Sequence, residues 1–138
     1  MCFCSIFHVG SFSYYVMRDG QATKAYNARY WNNFELYFLR FKKLDTQHFL
    51  ENQYPVRAFM MLKILVKMEF ENQTVSPLVR INNVKSHYSS HLFDLAMQTN
   101  VKSMNVKDKI HFYLLKHKMI KLYFALICMN NCKKMFWI

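Results

Sequence analysis

The stretch RAFMMLKILVKMEF, Arg57 to Phe70, decides the fold class. Lys63, Lys67 and the following Glu71 lie four apart on one narrow polar strip, against a surround of Ala, Phe, Met, Leu, Ile and Val. A helix that is apolar over most of its circumference must be covered by other elements. The spacing therefore predicts a central helix with Phe59, Leu62, Leu65 and Val66 buried. Tyr54-Pro55 marks its beginning, because proline disfavours the α conformation in the residue before it and suits the first helical turn itself.

Working back from there, Asp45 to Gln53 is polar apart from Phe49 and Leu50, and reads as a continuation or restart of a helix. From Ala28 to Leu44, Trp31, Phe34, Phe38 and Phe41 recur at spacings of three and four, with Tyr30, Tyr37 and Leu44 alongside. That is the apolar stripe of an amphipathic helix, and Asn27 is placed to cap it. Residues 2–17 are β-prone and broken by Gly10-Ser11, with Asp19-Gly20 beyond. They read as a short hairpin or a frayed segment over residues 1–20.

Working forward, Glu71 to Ser89 carries loop signals at Asn72, Ser76-Pro77 and Asn82-Asn83, with a short strand expected at Leu78 to Ile81. Ser90 is placed to cap a helix from His91 to Gln98. Asn105 and Asp108 form a pair resembling a capping box for a last helix running to Met129. Asn130-Asn131 and Lys133-Lys134 stop it. The expected fold is mainly α: about four helices in a small bundle or a helical-repeat-like array. It forms one domain over 1–138, with the helical body at 27–138.

Composition supports a packed core. Apolar residues make up 53% of the 138, and aromatics 17%, so the chain is not of the disordered class. Gly and Pro occur twice each, while Phe, Tyr, Met, Asn and Lys abound, a bias that AT-rich codons would produce. The net charge of +11 raises three partners: nucleic acid, an anionic membrane and an acidic protein. The AT-rich bias accounts for part of it, and the remaining expectation is weak electrostatic binding. No run approaches the ~18 apolar residues that a transmembrane helix needs. The N-terminus lacks a signal peptide's basic region. Cysteines fall in terminal pairs, Cys2/Cys4 and Cys128/Cys132, unlike a secreted disulfide framework. An intracellular, cytoplasmic protein with reduced thiols is expected, and the Asn72-Gln73-Thr74 sequon would then be idle.

No motif assigns a reaction. With only Gly10 and Gly20 there is no phosphate loop, dinucleotide fingerprint or nucleophile elbow, all of which need closely spaced glycines. Glu69 and Glu71, two apart, fall on different faces of a helix and make no acid/base pair. His87/His91 and Cys128/Cys132 share the i, i+4 spacing that can chelate a metal, but the pairs lie far apart and lack a compact knuckle. No catalytic residue, metal ligand set, cofactor or cofactor site is predicted.

One basic segment stands out. Lys107, Lys109, Lys116, Lys118 and Lys121, with His111 and His117, interleave with Phe112, Leu115, Met119, Tyr123 and Phe124. On a continuous helix Lys116 falls on the apolar side, among Phe112, Met119 and Tyr123. The cleaner reading is a core helix whose lysines extend their heads to water. The sequence thus points to a non-enzymatic helical protein-interaction domain, binding a protein partner or itself. The alternatives are a peripheral membrane-surface protein using the basic C-terminal helix, and a lineage-restricted reading frame without a settled role.

Overall fold

The computed structural model describes residues 29–48 and 50–136, with side chains as far as residue 131. Among these residues the protein is mainly helical and has no strand. Its elements are α1 (Arg29–Leu44), α2 (Tyr54–Glu71), α3 (Pro77–Ser86), α4 (His91–Ala96), α5 (Val106–Lys116) and α6 (Ile120–Phe136). Short 3₁₀ turns at Glu51–Gln53 and Val101–Ser103 precede α2 and α5. The hairpin expected over residues 1–20 and the Asn27 cap lie outside the described residues.

The centre is α2, as its composition requires. Phe59, Leu62, Leu65 and Val66 are buried, together with Tyr54, Ala58 and Phe70. Pro55 occupies the first turn, where the missing N–H is no loss. The other helices lie around it. Phe59 meets Phe112 of α5 edge-to-face at 5.6 Å, and Phe70 meets Tyr123 and Phe124 of α6 at 5.9 and 5.0 Å. Such ring pairs contribute beyond their area.

The connection into α2 is held by one carboxylate. Asp45 accepts the Leu50 N–H at 3.1 Å and the Tyr54 hydroxyl at 2.6 Å. Burial, then the Asp45 contact, pushes the Tyr54 phenol up to about 12. The stripe on α1 packs inward through Trp31 and Phe38, with Phe34, Tyr37 and Phe41 half-covered. Leu44, expected beside that stripe, is exposed instead. Trp31 stacks on His87 at 4.0 Å with the rings nearly parallel. Glu35 accepts the His91 N–H at 2.7 Å, which places a negative charge at the positive end of α4. Ser90 caps α4 by accepting the Phe93 N–H at 3.2 Å.

Among the described residues there are six α-helices rather than about four, and the difference comes from two local effects. Leu78 to Ile81, expected as a short strand in a loop, belongs to α3. Ser76 and Pro77 are not loop punctuation there but the cap and first residue of that helix, with the Ser76 hydroxyl facing the Val79 N–H. Arg80 then ties α3 to the end of α2, donating to the carbonyls of Phe70 and Val75, each at 2.9 Å. Secondly, the helix expected from Asn105 to Met129 is two. Lys118 adopts φ 56°. The Lys118 N–H bonds to the Leu115 carbonyl at 3.0 Å and the Met119 N–H to the Leu114 carbonyl at 2.9 Å. This paired 5→2 and 6→1 pattern is a Schellman motif, which usually places glycine where Lys118 stands. With no glycine there, the sequence carries no stop signal.

Candidate interaction surface

The inner side of α5 is fixed by its cap and by one ion pair. Asn105 accepts the Asp108 N–H at 2.8 Å and donates back to the Asp108 carboxylate at 3.0 Å. Asp108 also receives the Lys63 ammonium from α2, a pair largely withdrawn from solvent. Burial alone would raise the Asp108 carboxyl. The hydrogen bonds and charges of Lys63, with help from Asn105 and His111, outweigh it and hold the carboxyl below its ordinary range. Phe112, Leu114 and Leu115 enter the core beside the mostly buried His111. Burial, then the charges of Lys63 and Lys107, depress the His111 imidazole. Its ring lies 5.1 Å from that of Tyr123, whose phenol burial raises strongly.

The outer side of α5 is a second apolar face. Val106 is 74% exposed, Ile110 47% and Tyr113 49%. With His117 they are separated by four, three and four residues, so they form one line along the helix. The Tyr113 and His117 rings stack at 6.2 Å. Lys107 borders the line on one flank, and Lys109 and Lys116 on the other. No carboxylate pairs with these three lysines among the described residues. Lys116 leans its ammonium over the Phe112 ring at 5.7 Å and remains exposed. It was expected on the apolar side of a continuous helix; the break at Lys118 removes that conflict.

Beyond the break, Lys85, Lys118, Met119, Ile120, Lys121 and Leu122 line a shallow open depression of about 340 Å³. The Lys118 ammonium sits over the Tyr88 ring at 5.4 Å. Leu122 and Met129 on the outer side of α6 are also exposed. The whole segment from Val106 to Met129 therefore has two apolar sides, one packed and one in solvent, with lysines along the latter.

No family model, curated protein or solved structure matches this chain. The surface must be interpreted from its own chemistry.

The other residues singled out in the sequence have structural settings. His87 is held by its stack on Trp31. Burial lowers the imidazole pKa, against opposing pulls from Glu69 and Glu35. Among the described residues no group of three or more His, Cys, Asp or Glu side chains is arranged to hold a metal. Cys128 is a partly buried free thiol, and the side chain of Cys132 is beyond those described. Asn72 of the sequon is buried, and its carbonyl oxygen accepts from the Thr74 N–H and hydroxyl at 3.2 and 2.6 Å. No described helix is long and apolar enough to cross a membrane.

Glu69 is the residue that pattern reading misses. It is 0% exposed, accepts from Asn83 at 2.8 Å through Oε1, and its Oε2 finds no partner among the described residues. Glu71 points to the exterior and meets Lys67 at 3.8 Å and Asn131 at 3.1 Å. Their two-residue separation on α2 does place them on different sides, as expected from helical geometry.

Proposed function

We propose that this chain is a non-enzymatic helical protein-interaction domain that docks a partner along the outer face of α5. The observation that carries this reading is the line Val106, Ile110 and Tyr113, 47 to 74% exposed at helical spacing on a helix whose opposite side packs into the core. Contiguous apolar surface left in water marks interaction sites. The reading suits an intracellular protein with Cys128 kept as a thiol.

A second reading is a peripheral membrane protein. The lysine-lined depression and the exposed Met119, Leu122 and Met129 favour it. The two readings separate by salt. Attraction of surface lysines to anionic lipid contributes about 1 kcal/mol each and is screened over roughly 8 Å at physiological ionic strength. Apolar insertion survives screening. Co-sedimentation with vesicles containing phosphatidylserine across a salt series is the test. Weak binding at low salt that disappears near physiological salt is expected. Retention at high salt, lost on replacing Met119 and Leu122 by Ser, would favour the membrane reading.

A further inference from the structure

We infer that the outer face of α5 is one half of a short coiled-coil seam whose partner is an acidic amphipathic helix. This rests on the interaction reading above and names its partner. The spacing of Val106, Ile110, Tyr113 and His117, four, three and four, is that of alternating d and a positions in a heptad. In that register Lys107 takes an e position, and Lys109 and Lys116 take g positions. Those positions flank the seam, and their charges select the partner in paired helices. Three of the four flanking positions in this stretch carry a positive charge, and the fourth, Leu114, is buried in the core.

No described carboxylate of this chain pairs with these three lysines, so the counter-charge on this face is left to a partner. Glu35, Asp45, Glu69, Glu71 and Asp108 each accept from a donor of this chain, and Glu51 lies 3.8 Å from the His48 ring. Asp94, in the first turn of α4, is the one other described carboxylate. A second copy approaching through the same face would set lysines against lysines, which disfavours that pairing. A nucleic-acid backbone would match the lysines and leave Val106 and Ile110 in water. A helix with Leu or Ile along its seam and Glu along its flanks satisfies both features. With α5 only 11 residues long, about 16 Å, the pairing is short and rapidly reversible.

The test uses the full chain and two synthetic 21-residue helical peptides, about three heptads each, both with Leu at a and d. One has Glu at every e and g position and the other Lys. Fluorescence anisotropy near physiological salt should show the Glu peptide binding about ten-fold or more tightly than the Lys peptide. The combined Lys107→Glu, Lys109→Glu and Lys116→Glu variant should invert that preference, an outcome that misfolding cannot imitate. Ile110→Ser with Tyr113→Ser should abolish binding of the Glu peptide, with helicity by circular dichroism unchanged. Equal binding of both peptides, binding of neither, or a preference unmoved by charge reversal overturns the acidic-helix proposal while leaving the interaction reading in place. Salt-resistant vesicle retention overturns the reading itself. Tighter binding of duplex DNA than of the Glu peptide, lost on the charge reversal, assigns the face to nucleic acid and overturns the proposal.

Discussion

Two helices of this chain treat apolar residues in opposite ways. Leu62 of α2 is sealed among the other helices, and Ile110 of α5 stands half in water. Their side chains are nearly equal in size and apolarity. The difference lies in how many neighbours each helix has. Around α2 there are partners on all sides but one strip, where Val56, Met60 and Ile64 are 40–43% exposed; α5 has them on one side. Apolarity in a sequence states that a face would gain by being covered, at roughly 25 cal/mol per Å². It does not state that the covering is within the same chain.

The largest effect should come from the covered helix. Leu62→Ala or Leu65→Ala is expected to cost about 2–5 kcal/mol by denaturant unfolding, from lost transfer energy and a residual cavity. A loss under about 1 kcal/mol would mean that α2 is loosely packed and that the contrast with α5 is false.

Next is the ion pair joining the two helices. Asp108→Asn is expected to cost about 1.5–3 kcal/mol, because it weakens a charge-assisted bond to Lys63 and changes the cap. The sign with pH follows from the lowered Asp108 pKa. A depressed carboxyl contributes its full stability above its unfolded value and loses it as pH falls through the folded one. Asp108→Asn should thus flatten the loss of stability below about pH 4. The depressed imidazoles of His87 and His111 act at higher pH. Each is held neutral, so stability should begin to fall as pH drops below about 6.5. Urea midpoints measured between pH 3 and 8 should show both limbs, and the lower one should be shallower in the Asn variant.

What was legible in the sequence divides along the same line. The core helix, the α1 stripe, the Tyr54-Pro55 boundary and the caps at Ser90 and Asn105 were readable because each rests on near neighbours in the chain. The break at Lys118 was not, since a lysine forced into the left-handed region gives no local sign. Nor was the start of α3, because Ser-Pro opens a helix as readily as it closes one. Glu69 was unreadable for another reason: its burial depends on Asn83, 14 residues away. The basic segment was visible, but its outer face was not. A continuous helix puts Lys116 on the apolar side, and only the break separates the two surfaces.

The break offers a smaller test. Lys118→Gly should stabilise the fold by about 0.5–1 kcal/mol, since the left-handed conformation costs a residue with a Cβ roughly 1–2 kcal/mol and glycine's greater unfolded-state entropy takes back part. Destabilisation in thermal melts would argue for one continuous helix. The smallest effect belongs to the outer face. Ile110→Ser should change stability by no more than about 0.5 kcal/mol, as surface changes do. A cost near that of Leu62→Ala would mean that α5 is covered on both sides by its own chain.

The central claim, that the outer face of α5 docks an acidic amphipathic helix, is tested most directly by amide chemical-shift mapping. The ¹⁵N-labelled full chain would be titrated with the Glu-flanked peptide near physiological salt. Saturable shifts concentrated between Val106 and His117, with Phe59 to Val66 of α2 unmoved, are the predicted result. Saturable shifts centred on Leu122 to Met129 of α6, or no saturable shift in α5, would contradict it.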